Sequence, residues 1–374
     1  MVSDRPRICI ILGTRPEAIK LAPVVLAFRS SPDFETRVVL TGQHKEMVAQ
    51  VMSLFGIEGD RDLAIMKHGQ TLVDIACRSL QGLDAFFSTE KPDFAIVQGD
   101  TSTAFAAALA AFYHKIPVGH VEAGLRTDNL FDPYPEEANR RLISQVAQVH
   151  FAPTDRAVEN LQKSSIVGKI HKTGNTVIDA LLSVADRRPD CPVPGLEWDN
   201  YRVLLATVHR RENWGDRLQE IANGFLGILD KFDDTALLFP LHRNPTVRSP
   251  LQAVLGQHPR VFLTEPLDYS QLVGAIQRCY LLLTDSGGLQ EEAPALGKPV
   301  LVLRETTERP EAVEAGTAKL IGTNRDRIVD TASELLDNKQ VYDRMATAQN
   351  PFGDGQASTR IVRIVKDYLA GSMG

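Results

Sequence analysis

The residues best suited to chemistry cluster in one stretch, 281–311, which reads LLLTDSGGLQEEAPALGKPVLVLRETTERPE. An apolar run, Leu281-Leu282-Leu283, reaches Asp285, Ser286, Gly287 and Gly288. A helical pattern over 289–296 carries Glu291 and Glu292 one turn in, a second apolar run spans 299–303, and Arg304 and Arg309 follow. Two glycines let a backbone turn sharply and bring its N–H groups close to a ligand, and a helix beginning there points its positive end at the same place. Such a spot attracts a phosphate. Ser-Gly-Gly is equally the composition of a plain βα turn with a serine cap. The flanking acid, able to hold sugar hydroxyls, and the arginines make the stretch resemble a nucleotide-sugar site.

Further candidates lie upstream. Gly13-Thr14-Arg15-Pro16-Glu17 follows the apolar run 8–12 and opens a helical pattern, with Pro16 suited to a first turn. It is neither a Walker A loop, because Ala18 stands where a second glycine is needed and Lys20 lies inside the helix, nor a GxGxxG turn. Asp100 in Gln98-Gly99-Asp100-Thr101, Glu122 in His120-Val121-Glu122-Ala123-Gly124, and the loop reaching Glu136 each follow a strand-like run. Asp100 could also cap a helix starting at Thr101 or Ser102, and Glu136 with Arg140 or Glu137 with Arg141 could be i,i+4 pairs on a helix face.

These residues need elements to position them. Apolar runs at 8–12, 37–41, 94–97, 117–121 and 149–152 alternate with helical patterns at 17–28, 45–55, 72–87, 103–114, 136–148 and 155–163. A second series, at 203–208, 236–240, 261–263, 280–284, 299–303 and 319–321, also alternates with helices. Such alternation implies parallel sheets covered on both faces, with ligands at the carboxyl ends of strands. A stretch with three prolines and no apolar period suggests a linker at 188–200. The expected organisation is therefore α/β, two doubly wound Rossmann-like domains facing a cleft. Residues 1–187 form the first and 201–357 the second; a helix over 358–374 could pack back on the first.

Bulk properties bound the function. A chain of 374 residues with 43% hydrophobic and 24% charged content is an ordinary soluble globular protein with room for two cores. A net charge of −6 and a pI near 5.9 argue against nonspecific nucleic-acid or membrane-surface binding. The four cysteines show no ligand spacing and read as reduced and structural. No apolar run approaches the roughly 20 residues of a membrane span, and the N-terminus runs into a strand without a signal peptide, so a cytoplasmic protein is expected.

Taken in order, GTRPEAIKLAP, QGDTST, HVEAGLRT, PYPEEANRRL, TGNTVIDAL, HRREN, DSGGLQEEAP, TTERPEAV and NPFGDGQAS closely resemble the non-hydrolysing UDP-N-acetylglucosamine 2-epimerases, from Gly13 to about Ile361. The resemblance implies a glycosyltransferase-B-like fold and interconversion of UDP-GlcNAc and UDP-ManNAc through loss of UDP, a 2-acetamidoglucal, and re-addition. It implies catalytic roles for Asp100, Glu122, Glu136 and His209. Substrate contacts would come from Arg15, Lys20, Ser286, Gly287, Gly288, Glu292 and Arg309 as well as from Asp100, Glu122 and His209. A second, regulatory UDP-GlcNAc pocket would use Gln43, His44, Gln70, Arg210 and His242. A homodimer is implied by analogy, and no cofactor or metal is expected. The competing readings are a UDP-sugar glycosyltransferase or a hydrolysing 2-epimerase of the same fold, and a nucleotide-sugar sensor without activity.

Overall fold

A computed structural model describes residues 5–67 and 69–372. The chain divides into two compact units, residues 1–180 with 352–374, and residues 181–351. In the first unit, β1 (Arg7–Leu12), β2 (Glu35–Leu40), β3 (Arg61–Asp62), β4 (Phe94–Gln98), β5 (Val118–Val121), β6 (Val149–Ala152) and β7 (Lys169–Lys172) form one parallel sheet. Their order is β3-β2-β1-β4-β5-β6-β7. In the second, β8 (Arg202–Thr207), β9 (Thr235–Pro240), β10 (Val261–Thr264), β11 (Leu281–Thr284), β12 (Val300–Val302) and β13 (Ala318–Leu320) are parallel in the order β10-β9-β8-β11-β12-β13. Both are doubly wound Rossmann-like domains.

Central strands covered by helices on both faces are apolar throughout instead of alternating. Five of six residues of β1 and all of β4 and β11 are buried. Leu83, Phe87, Ala107, Ala111 and Ile143 close over one face of the first sheet; Phe225, Ile228, Leu251 and Leu335 do so over the second. The two strands that composition did not suggest are β3, of two exposed residues, and β7, Lys-Ile-His-Lys with exposed lysines at both ends. Each is a sheet edge, where polar residues discourage pairing with another chain.

The strand order reverses between β1 and β4 in the first unit and between β8 and β11 in the second. In open α/β sheets the crevice outside the carboxyl ends at such a reversal is where ligands bind.

Residues 188–200, expected as a linker, are packed. Cys191, Val193 and Leu196 are buried. Apart from a 3-10 turn at Trp198–Asn200, proline keeps this segment out of regular structure, but its apolar residues are still buried in the second unit. The division between units falls instead inside the helix Thr176–Ala185. The last helix, Ala357–Ser372, belongs to the first unit, where Asp179 accepts from the N–H groups of Ala357 (3.2 Å) and Ser358 (2.7 Å), and Lys366 meets Asp33 at 2.6 Å.

Candidate active site

The first unit gathers its candidates at the ends of β1, β4 and β5. Thr14 caps the helix Arg15–Ser30 in a capping box with Glu17. Glu17, 2% exposed, accepts from the N–H groups of Gly13 (2.6 Å) and Thr14 (2.8 Å) and from Thr101 Oγ1 (2.5 Å), which ties the β1 turn to the β4 turn. Burial pushes the Glu17 carboxyl above its ordinary value against the pull of those donors. Arg15, in the first turn, is half-buried and has no hydrogen-bond or ion-pair partner among the described residues.

Lys20, expected at the nucleotide, is one turn further along and places Nζ 2.6 Å from both carboxylate oxygens of Glu122. Glu122 also accepts from Gln98 Nε2 and from Asn175 Nδ2 (3.2 Å). Its backbone lies at φ 61°, a left-handed conformation that costs a non-glycine residue about 1–3 kcal/mol and persists only where surroundings enforce it. A carboxylate aimed this way and held by three side chains has one orientation.

Asp100 follows Gly99, whose φ of 71° turns the chain out of β4. It does not cap the next helix; Thr101 does, accepting from the Ala104 N–H at 3.0 Å. Arg140 donates to Asp100 Oδ2 from Nε (2.9 Å) and Nη2 (2.5 Å), and Asn139 Nδ2 donates to the Asp100 carbonyl (2.9 Å). Burial pushes the Asp100 carboxyl up; the Arg140 charge opposes this, and nearby Glu122 adds to it. Behind both acids, His120 Nε2 donates to the Gly99 carbonyl at 2.7 Å. Burial holds this imidazole at about 3, hence neutral.

Glu136 opens the helix Glu136–Val146 and is half-buried, with no ion pair among the described residues. The pair Glu136–Arg140 does not form, because Arg140 turns to Asp100 and Glu137. Glu137 does pair with Arg141, at 2.6 Å.

The second unit builds a different kind of site. Asp285, fully buried at the end of β11, accepts from the N–H groups of His209 (2.9 Å) and Arg210 (2.8 Å) and from Asn213 Nδ2 (3.0 Å), and faces His209 Nδ1 at 2.9 Å. Burial alone would raise this carboxyl, but the His209 ring and the two N–H groups outweigh it and hold it below its ordinary value. With Nδ1 turned to Asp285, His209 offers Nε2 from a side chain 42% exposed.

The helix Gly287–Ala295 begins two residues after Asp285, with Ser286 at its N-cap. The Ser286 hydroxyl makes no capping bond, so the plain serine-cap reading of this turn does not hold. Both glycines lie inside the helix, not before it, and neither has positive φ. Their use is the missing side chain: a Cβ at Gly287 would sit 3.6 Å from Arg210 Nη2. First-turn N–H groups have no partner within a helix, and here no Cβ covers them.

Around this end, Arg304 bridges Glu212 (2.5 Å) and Glu308 (2.6 Å), and Arg210 Nη1 lies 3.4 Å from Glu308. Burial raises the Glu308 carboxyl, but the Arg304 bonds and the Arg210 charge bring it down to about 2. Glu292 accepts from the Tyr269 hydroxyl at 3.1 Å. Arg309 donates through Nε to Glu291 and through Nη1 to the Glu308 carbonyl (3.2 Å), so part of its fork is already engaged.

The five residues expected in a regulatory pocket are divided between the two units. Gln43 accepts from Thr103 Oγ1 (3.0 Å), the His44 N–H donates to the Gly13 carbonyl (2.9 Å), and Gln70 accepts from the Lys67 N–H (2.5 Å). In the second unit, Arg210 borders the helix start and His242 stacks on His209 with ring centroids 6.3 Å apart. A separate cavity of about 550 Å³ lies between the helix Lys45–Phe55 and the ends of β1 to β3; Asp100, Glu122 and Lys20 do not line it.

Sequence reasoning gave no site role to Glu17 or Arg140, and placed Asp285 in the turn before the helix without a role of its own. The Thr14-x-x-Glu17 spacing is a capping-box signal and would have found the first. Nothing in the spacing distinguishes Arg140 from an ordinary helix-surface cation.

The comparisons agree over nearly the whole chain. The family model described as UDP-N-acetylglucosamine 2-epimerase matches residues 26–366. The UDP-N-acetylglucosamine 2-epimerase of Escherichia coli K12 is 47% identical over 371 residues, covering 96% of this chain and 98% of that one. The crystal structure of the Neisseria meningitidis UDP-GlcNAc 2-epimerase bound to UDP-GlcNAc is 46% identical with a TM-score of 0.86, covering 96% of this chain and 100% of that one. The glycotransferase of kitacinnamycin shares the fold alone, at 13% identity and a TM-score of 0.65 over 98% of this chain and 99% of that one. With both parallel sheets and the motifs on their carboxyl ends accounted for, the chain belongs to the UDP-N-acetylglucosamine 2-epimerase family.

Proposed function

We propose that this chain interconverts UDP-GlcNAc and UDP-ManNAc without hydrolysis. The C2–H bond of an N-acetyl sugar is not acidic, so direct deprotonation is out of reach of a side-chain base at neutral pH. Departure of UDP from C1 with the bonding electron pair changes that. Positive charge at C1 acidifies the C2 proton, a carboxylate takes it, and the C–H pair becomes the C1=C2 bond of 2-acetamidoglucal. In the second half a proton is delivered to C2 on the opposite face and UDP returns to C1 on the face it left, so that only C2 is inverted.

The observation that carries this reading is the pair of carboxylates at the ends of neighbouring strands β4 and β5, each with its own set of partners. Two acids in unlike surroundings suit opposite proton-transfer tasks. Asp100 and Glu122 take those tasks and stabilise the cationic sugar, as paired carboxylates do in glycoside cleavage. Lys20 and its partners keep Glu122 aimed, and Glu136 assists. His209 Nε2, fixed by Asp285, contacts the departing phosphate. Arg15, Ser286, the N–H groups of Gly287 and Gly288, and Arg309 hold pyrophosphate, which stabilises charge where it develops. Glu292 holds ribose hydroxyls. The UDP-GlcNAc bound to the Neisseria relative supports the substrate.

The test is incubation with UDP-GlcNAc alone, followed by NMR. UDP-ManNAc should accumulate to a constant ratio with traces of UDP and 2-acetamidoglucal. Free ManNAc as the sole sugar product would instead indicate a hydrolysing enzyme. Turnover only with an added acceptor would indicate a transferase, and binding without turnover a sensor. A homodimer working in the cytoplasm is part of the same proposal; sedimentation at the monomer mass would remove its first half.

A further inference from the structure

We propose that Arg140, held by Glu137, is a positioning residue that fixes Asp100 in one orientation and leaves Oδ1 as its reacting oxygen. This rests on the reading of Asp100 as a proton-transfer group.

Both Arg140 donors to Asp100 fall on the same atom: Nε at 2.9 Å and Nη2 at 2.5 Å from Oδ2. Oδ1 has no hydrogen-bond partner among the described residues, although the Asp100 side chain is only 26% exposed. A carboxylate bound through one oxygen by a guanidinium fork cannot spin, so the other oxygen faces a single direction. Arg140 is itself immobilised, being 5% exposed with Nη1 3.0 Å from Glu137 Oε2. Glu137 is fully buried and also accepts from the Thr127 N–H (3.0 Å) and Arg141 Nε (2.6 Å). The backbone is held as well, by Asn139 on the Asp100 carbonyl and by His120 on the Gly99 carbonyl. Besides its local i,i+3 pair with Glu137, this arginine sends two further donors to Asp100, 40 residues away in sequence.

The charged groups facing Asp100 are Arg140 from the helix Glu136–Val146, Glu122 from the end of β5 and Lys20 from the helix Arg15–Ser30. Removing the Arg140 charge disfavours the Asp100 carboxylate, so the limb of the pH profile that Asp100 controls must move to higher pH whether Asp100 gives or takes the proton. A purely structural arginine would lower stability without moving that limb.

The experiment compares wild type, Arg140→Lys, Arg140→Met and Glu137→Gln by the rate of C2 deuterium wash-in from D₂O at saturating UDP-GlcNAc over a range of pH. Arg140→Lys should lose about 10-fold in kcat, since an ammonium cannot reproduce the fork. Arg140→Met should lose about 100-fold, with KM changed little and its Asp100 limb moved to higher pH. Glu137→Gln should lose less kcat than Arg140→Met, because the arginine keeps its charge and loses only one of its anchors. An Arg140→Met enzyme with kcat within about 3-fold of wild type, or with the limb unmoved, overturns the proposal. If Arg140→Met does not fold, Arg140→Lys decides: wild-type kcat in that variant overturns it equally. Wild type with no wash-in removes the functional reading itself, a result distinct from active wild type with indifferent variants.

Discussion

Replacing Asp285 by asparagine should separate a buried carboxylate that organises the second unit from one that merely sits there. Asp285 is 0% exposed and meets four donors: two backbone N–H groups, the Asn213 amide and the His209 ring. A hydrogen bond to a charged acceptor contributes about 1.5–3 kcal/mol, and a donor left unpaired in the interior costs about 1–3 kcal/mol. Asparagine keeps one acceptor oxygen but turns an NH₂ toward donors, so at least one is left facing another donor. The expected loss is about 3–5 kcal/mol, the usual cost of removing one partner from a buried charge network. In urea this lowers the midpoint by about 1–2 M for an m value near 2–3 kcal/mol/M.

The pH dependence follows from the direction of the shift. The Asp285 carboxyl is lowered in the folded state, so its stabilisation is present above the unfolded value and disappears as pH falls through the folded one. The gap between wild type and variant should therefore be full at neutral pH and close in acid. UDP affinity should fall too, because His209 and Arg210 lose the acceptor that fixes their backbone. An Asp285→Asn protein that unfolds at the wild-type midpoint at neutral pH, or whose deficit does not shrink in acid, would refute this reasoning.

Other outcomes follow from the same geometry. Asp100→Asn should slow C2 exchange by about 10²–10⁴-fold while UDP binding, followed by calorimetry, stays within about 2-fold, because a general acid/base contributes to chemistry and not to holding the leaving group. Ser286→Ala should leave stability within about 0.5 kcal/mol, since its hydroxyl caps nothing, yet raise the UDP dissociation constant about 10-fold through one lost bond to phosphate. Gly124→Ala should destabilise by about 2–4 kcal/mol in thermal unfolding, because Gly124 has φ 99° and its new Cβ would strike the Ala157 carbonyl.

The fold was legible where burial imposes a pattern. β1, β4, β8 and β11 are covered on both faces and so are apolar through their central residues, and the turns after them carry the candidate residues. β7 was not legible because an edge strand is selected for lysine and exposure, which composition assigns to loops. The segment 188–200 misled because proline content reports the absence of regular structure, not the absence of packing. At the candidate site, glycines, acids and hydroxyls after apolar runs single out Asp100, Glu122 and Ser286 as candidates. Arg140 stayed hidden because local spacing offers it Glu136, whereas its partner Asp100 is 40 residues away in sequence. The Lys20–Glu122 pair was equally illegible, its two residues being 102 apart in sequence; Lys20 entered the expected substrate contacts only through the family resemblance.

The central claim is that carboxylates at the ends of β4 and β5 remove and return the proton at C2 while UDP leaves and comes back. It is tested most directly by incubating the protein with UDP-GlcNAc in D₂O and reading C2 by NMR. The account predicts that the UDP-ManNAc formed carries deuterium at C2. Conversion to UDP-ManNAc with the original hydrogen still at C2 would contradict it.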